Sequence, residues 1–114
     1  MKRSSNQNIR KANPDVRVLD LLKKVGSDLS KVHEIEFFLY FPNSETAENV
    51  KVELVQKGFS VEISQAAKGQ NWLCLVSKRM VPDYNDLAKL RYDLIAIAEK
   101  NNGEYDGWGT LAID

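Results

Sequence analysis

The feature that most constrains this chain is a strand–helix–strand pattern that occurs twice. In each copy a predicted strand is followed by a proline and a helix-capping residue, and a glycine separates the helix from the next predicted strand. Pro42 and Asn43 anchor the first copy, and Pro82 and Asp83 anchor the second, 40 residues later. Proline ends a strand because it has no N–H to donate, whereas Asn and Asp accept hydrogen bonds from the first helical turn. The repeat predicts an α+β, ferredoxin-like βαββαβ fold, with a four-stranded antiparallel sheet and two helices on one face.

The predicted strands differ in how apolar their two faces are. The run at residues 72–76 is apolar on both faces, which favours a central position in the sheet. Glycines in the last run predict a bend or a bulge there. One face of the first strand is acidic and aromatic, and it carries Glu34, Glu36, Phe38 and Tyr40. The four predicted strands cover residues 32–41, 59–64, 72–76 and 104–114.

An additional helix is predicted before the repeat. Pro14 suits its first helical position, and Gly26 can close it in a left-handed conformation. The sheet face with Phe38 and Tyr40 is too apolar to be left bare, so this helix is expected to cover it. A second copy of the chain or a partner is the alternative cover. The predicted packing stripe of the helix is Val16, Leu19, Leu22 and Val25.

The net charge of zero hides an uneven distribution. Residues 1–12 are predicted to be a flexible basic arm, because they are polar, lack periodicity and contain no acid. Residues 13–114 are predicted to be a single domain, and they hold all 16 acids against the remaining 12 bases, a charge of −4. This balance argues against a nucleic-acid binder that works through bulk positive charge. The cations of the arm are Lys2, Arg3, Arg10 and Lys11.

The sequence offers little for catalysis or metal binding. One cysteine excludes an internal disulfide framework and a cysteine-rich zinc site, and one histidine excludes the common histidine-based metal sites and most catalytic triads. His33 and Cys74 both lie in apolar strands, so they are expected to be packed rather than reactive. Glu34 and Glu36 are interpreted as a solvated face rather than an acid–base or metal pair. We therefore expect no enzyme activity, no cofactor and no metal.

The sequence also indicates where in the cell the protein is expected. No apolar run approaches the roughly 20 residues that a membrane-spanning helix needs, and no secretory signal is visible. A single free thiol fits a reducing environment, so the expected location is the cytoplasm, without membrane association. The oligomeric state is left open between a monomer and a homodimer.

The acidic and aromatic residues predict a binding surface. The aromatics Phe38, Tyr40 and Trp72 invite comparison with RNA-binding sheets, which stack bases on such side chains. The glutamates on that side would repel phosphate, so nucleic-acid binding on the sheet face is not expected. Tyrosine and tryptophan beside carboxylates suit a basic protein partner, although both can also serve as core residues. An RNA-binding or small-molecule-binding regulatory module is the alternative function. The predicted partner-binding residues are Glu34, Glu36, Glu62, Tyr105, Asp106 and Trp108.

Three stretches carry a resemblance to a known family. The most specific is EYDGWGT at residues 104–110, after a helix that ends with Ala98 and Glu99. The other two are GSD at residues 26–28, between the first helix and the first strand, and KGF at residues 57–59. Over nearly all of its folded part the chain resembles the regulator of ribonuclease E activity B family, whose members are protein inhibitors of ribonuclease E.

The resemblance implies a ferredoxin-like domain and a non-catalytic mode of action. Family members bind ribonuclease E toward its C-terminal scaffold region and restrain RNA cleavage. The expected partner is therefore ribonuclease E, through a basic scaffold region, or a similar basic protein. The family's members have an acidic N-terminus, whereas this chain carries Lys2 and Arg3 there.

Overall fold

The computed structural model describes residues 14–66 and 71–110, so the predicted arm at residues 1–12 lies outside the described residues. Within the described ranges, three helices and four strands alternate in the predicted order. The elements are α1 (Pro14–Lys24), β1 (His33–Phe41), α2 (Ser44–Gln56), β2 (Ser60–Gln65), β3 (Trp72–Met80), α3 (Tyr84–Lys100) and β4 (Glu104–Gly109).

The four strands form one antiparallel sheet in the order β2-β3-β1-β4. This arrangement confirms the ferredoxin-like α+β fold and the central position of β3. The predicted end of β3 at residue 76 is wrong, because Lys78 and Arg79 continue the pairing opposite Ile35 and Glu34. The last strand begins at Glu104 as predicted and ends at Gly109, and residues 111–114 of the prediction lie outside the described residues.

The core lies between the sheet and the helices α2 and α3. Phe37 is fully buried at its centre and meets Phe59 edge-to-face, with ring centroids 6.4 Å apart. Burying one such side chain contributes about 1.5–3 kcal/mol, so this layer supplies most of the driving force for folding. The predicted core positions of the two helices are buried, with Leu90 partly so. These positions are Ala47, Val50, Leu54, Leu87, Leu90, Leu94, Ile97 and Ala98.

The predicted caps of α2 and α3 are present. Asn43 Oδ1 accepts a hydrogen bond from the Thr46 N–H at 2.8 Å, which satisfies one of the free donors of the first turn. Asp83 Oδ2 accepts from the Asp86 N–H at 3.1 Å in the same way. Both caps follow the prolines of the sequence repeat, so the repeat corresponds to two equivalent strand-to-helix junctions.

The helix α1 packs on the domain, but it does not cover the open face of the sheet. It lies against α3 and the edge strand β4. Leu22 is 6% exposed and Val18 and Leu19 are half-buried, whereas Val25 is 61% exposed. The predicted stripe is therefore wrong at Val25, and Val16 lies where no side chain is described. The middle of the open face is left without a cover among the described residues.

Candidate functional site

The open face is the side of the sheet opposite α2 and α3. Its middle is apolar, because Phe38 pairs with Leu75 and Tyr40 pairs with Leu73 across the two central strands. All four side chains are half-buried rather than buried. Around them stand five acids and one base of the sheet, namely Glu34, Glu36, Glu62, Glu104, Asp106 and Arg79.

A groove of about 680 Å³ runs between α1 and this face. The α1 side is formed by Arg17, Val18 and Leu21, and Phe38 and Tyr40 line the sheet side. Asp106 also lines this groove. The groove is therefore mainly apolar, and the exposed side chains of Arg17 and Asp106 give it one cation and one carboxylate.

A second groove of about 600 Å³ lies on the other side of Phe38. It is lined by Glu34, Glu36 and Arg79, together with the end of β4. Thr110 Oγ1 donates a hydrogen bond to the Glu34 carbonyl at 2.7 Å, which fixes that end of β4 to β1. Phe38 is shared by the two grooves and is therefore the central apolar contact that the open face offers.

A bulge in β4 decides which of its side chains reach the open face. Leu39 pairs with Tyr105 and Phe37 pairs with Trp108, so three steps along β4 match two steps along β1. In a regular strand, residues three apart point to opposite faces, whereas the extra residue here brings Tyr105 and Trp108 to the same, helix-covered face. Gly107 lies in the bulge with a φ of +97°, a conformation that favours glycine.

The structure divides the predicted partner-binding residues into two groups. Glu34, Glu36, Glu62 and Asp106 lie on the open face. Trp108 is 6% exposed and belongs to the core, and Tyr105 is half-buried and packs against the core. The alternative of core packing is therefore the right description of Trp108, and that side chain offers a partner little surface.

Three charged residues at the site were missed by the sequence prediction. Glu104 lies opposite Tyr40, and strict alternation along β4 before the bulge would have placed it there. Arg79 was missed because β3 was predicted to end too early. Arg17 was missed because the packing stripe of α1 was assigned without it. The open face is therefore less uniformly acidic than predicted.

His33 and Cys74 are structural residues. His33 is buried, its Nδ1 lies 2.9 Å from the Lys31 carbonyl, and its Nε2 lies 2.9 Å from Ser27 Oγ. A carbonyl only accepts, so in the neutral ring Nδ1 donates to Lys31 and Nε2 accepts from the Ser27 hydroxyl. Cys74 is buried, and its Sγ donates to the Ala47 carbonyl at 3.6 Å. Burial raises the pKa of this thiol to about 11, with a smaller contribution from Glu48, so it is protonated at neutral pH.

The described residues can also be examined for a metal site and for a membrane-spanning helix. Within residues 14–66 and 71–110, no three side chains of His, Cys, Asp or Glu come together as a metal site. None of the helices in these ranges is long and apolar enough to cross a membrane. The open face, with its two grooves, combines exposed apolar and charged side chains among the described residues.

The fold and this face define a small α+β domain of ferredoxin-like topology with an exposed sheet surface that is acidic and aromatic. Residues 13–110 match the family model described as "Regulator of ribonuclease activity B". The chain belongs to this family.

Several curated relatives carry the same name. The protein of Pseudoalteromonas atlantica is 31% identical over 101 residues, which cover 84% of this chain and 86% of the relative. The protein of Escherichia coli K12 is 31% identical over 101 residues, with 85% and 73% covered. The protein of Idiomarina loihiensis is 30% identical over 93 residues, with 78% and 73% covered.

Proposed function

We propose that this protein is a non-catalytic regulator that binds ribonuclease E in the cytoplasm and inhibits it through the open face of its sheet. Two things support the proposal. The relatives are named as regulators of ribonuclease activity, and the family resemblance of the sequence implies ribonuclease E as the enzyme that is regulated. The single observation that carries the mechanism is the open face itself, where apolar side chains are surrounded by carboxylates.

The chemistry of the face suits a basic, extended partner segment. Phe38 and Tyr40 supply apolar area at little entropic cost, because an aromatic side chain has only two rotatable bonds. The carboxylates of Glu36, Glu62 and Asp106 can accept hydrogen bonds from lysine or arginine and would speed the capture of a positively charged segment.

The size of the face also favours a segment rather than a whole domain. Four strands about 4.8 Å apart and 6–9 residues long present a surface on the order of 400 Å². A stable interface between folded proteins buries about 800 Å² on each partner. The face alone therefore fits a peptide of modest affinity, for which electrostatic attraction is a large part of the binding energy.

RNA is the second candidate ligand of the same face. Phe38 and Tyr40 lie on a central strand, and Arg79 and Arg17 are close to them, as base-stacking and phosphate contacts require. Five carboxylates around these groups oppose the binding of phosphate. Trp72, the third aromatic of the RNA comparison, pairs with Phe41 and lies on the other face. We therefore favour the protein partner.

The proposed function is tested with purified components. The full chain is titrated into ribonuclease E while cleavage of an RNA substrate and direct binding are both measured, at increasing salt concentrations. The proposal predicts binding and inhibition that weaken together as salt rises, since salt screens exposed charges. Absence of binding, or binding that salt does not change, contradicts it. A gel shift with single-stranded RNA and no ribonuclease E tests the alternative, and a shift there would favour the RNA-binding function.

A further inference from the structure

The helix α1, which follows the basic residues 1–13 in the sequence, lines a groove beside the acidic open face. Arg17 lines the groove together with Tyr40 and Asp106. Arg17 comes three residues after Pro14, the first residue of α1, which is about 4.5 Å along a helix axis. Pro14, the first described residue of the chain, therefore lies one helical turn from the Arg17 position at this groove. Residues 1–13 hold four cations and no acid, whereas the sheet presents five acids and Arg79 on the open face.

We propose that residues 1–13 dock in cis on the open face and compete there with the basic partner segment. The competition rests on the proposed function, whereas the docking concerns this chain alone. The two complementary charge sets are the basic pairs Lys2–Arg3 and Arg10–Lys11 and the acids Glu34, Glu36, Glu62, Glu104 and Asp106.

The spacing of the charges allows the segment to reach both ends of the face. An extended chain covers about 3.3 Å per residue, so Arg10 and Lys11 reach roughly 10–13 Å from Pro14 and the first pair up to about 40 Å. Along β1 the face extends six residues from Tyr40 to Glu34, about 20 Å. The pair nearest to α1 can therefore meet Glu104 and Asp106, while the distant pair meets the acids at the other end.

In the strand register, few cations of the sheet lie next to these acids. Arg79 stands opposite Glu34, but Glu36 stands opposite Ser77, Glu62 opposite Leu75 and Glu104 opposite Tyr40. A tethered segment of this length acts at an effective concentration of about 1 mM, so contacts that are weak in solution suffice to occupy the face. A partner must displace the segment, which lowers its apparent affinity.

The docking is tested by NMR on the ¹⁵N-labelled full chain. Lys2→Gln, Arg3→Gln, Arg10→Gln and Lys11→Gln are combined in one variant, and the backbone amide shifts are compared with those of the natural sequence at low salt. The proposal predicts shift changes in residues 34–40 and 104–108, and 0.5 M NaCl should produce the same changes in the natural sequence. The matched control combines Lys23→Gln, Lys24→Gln, Lys51→Gln and Lys89→Gln, which removes the same charge from the helices. Equal shifts at the open face in all three proteins would overturn the proposal.

The competition is tested by the affinity of the same three proteins for purified ribonuclease E. Neutralising the segment should tighten binding about fivefold at low salt, more than the control does, because the tethered competitor has been removed. Weaker binding would mean that the segment itself contacts the partner, which overturns the competition. If none of the proteins binds while the amide shifts change as predicted, the proposed function fails and the docking in cis stands.

Discussion

At the scale of single residues, Cys74 shows how burial controls chemistry in this domain. Its side chain is fully buried on β3, where it contacts the first turns of α2 through the Ala47 carbonyl. Desolvation disfavours the thiolate, and the carboxylate of Glu48 adds to the effect. A buried thiol in this state packs as a small apolar group, and at neutral pH it is not the thiolate that reacts as a nucleophile.

The raised pKa predicts a specific loss of stability at high pH. The folded state holds the Cys74 proton up to a pKa of about 11, whereas the unfolded chain releases it near 9.0. Between these values the folded state binds more protons, so the free energy of unfolding falls as the pH rises, by roughly 2–3 kcal/mol in total. Urea unfolding of the natural protein and of Cys74→Ala at pH 8 and pH 11 measures this difference. An identical pH dependence of the two proteins would contradict the assignment.

Gly103 is required by a close approach and not by its backbone angles. The left-handed position after α3 is taken by Asn102, with a φ of 59°. A Cβ atom at Gly103 would lie 2.5 Å from the Tyr40 carbonyl oxygen and would also meet the Phe41 ring. The chain therefore passes directly over the end of β1 when it turns back to form β4.

This contact predicts that two glycine substitutions in the same segment differ in their effect on stability. Gly103→Ala should lower the free energy of unfolding by about 2–4 kcal/mol, because backbone has to move to make room. Gly109→Ala is the matched control in the same segment, since nothing lies within 4 Å of its Cβ position, and it should change stability by less than about 0.5 kcal/mol. Chemical denaturation measures both. A Gly103→Ala protein as stable as Gly109→Ala would show that the turn does not lie against β1.

At the scale of elements, β4 shows what could and could not be predicted from the sequence. Glycines at 107 and 109 predicted a bend or bulge, and the bulge is present. Its position between Tyr105 and Trp108 was not predicted, and that position reverses the face of every residue after it. Tyr105, Asp106 and Trp108 were grouped because they are close together in the sequence. Strict alternation would have put Asp106 and Trp108 on the same face, whereas the bulge leaves Asp106 at the groove and places Trp108 in the core.

The helix α1 illustrates a second limit. Its sequence has apolar residues at Val16, Val18, Leu19, Leu21, Leu22 and Val25, which are too many for one stripe. The choice among the possible stripes depends on where the helix docks, and this is tertiary information. Docking against α3 and β4 selects Val18, Leu19 and Leu22. By contrast, the core positions predicted for α2 and α3 are buried, with Leu90 partly so, although α2 also carries the exposed Val52 and Val55.

The docking of α1 predicts a difference between two adjacent leucines. Leu22 is 6% exposed and Leu21 is 60% exposed, although both are on the same turn. Leu22→Ala should lower the free energy of unfolding by about 2–3 kcal/mol, as truncation of a buried leucine does, whereas Leu21→Ala should have little effect. Thermal or urea unfolding of the two variants tests this. Equal losses would mean that the helix does not pack as described.

At the scale of the whole molecule, the apolar core and most charged side chains of the sheet lie on opposite faces of the sheet. The helices and the buried face of the sheet form the core, and the other face presents half-buried aromatics among carboxylates. The alternation along β1 was sufficient to predict this division, since it placed Glu34, Glu36, Phe38 and Tyr40 together. The positive charges of the site, at Arg17 and Arg79, depended on the docking of α1 and the full length of β3, and sequence reasoning did not find them.

We propose that the carboxylates of the open face capture a basic segment of ribonuclease E. An exposed charge pair contributes about 0.5 kcal/mol, so three pairs contribute about 1.5 kcal/mol, and about 1.4 kcal/mol corresponds to a tenfold change in Kd. Removing three contacts should therefore weaken binding about tenfold. The control must remove the same charge from the opposite side of the molecule, where exposed acids of α2 and α3 are available.

Isothermal titration calorimetry of purified ribonuclease E with two triple variants of the full chain measures this most directly. The face variant is Glu34→Gln, Glu36→Gln and Glu62→Gln, and the helix variant is Glu48→Gln, Asp93→Asn and Glu99→Gln. We predict a Kd about tenfold higher for the face variant, with a weaker dependence on salt, and a change of less than about twofold for the helix variant. Equal losses of affinity in the two variants, or none in the face variant, would contradict the account.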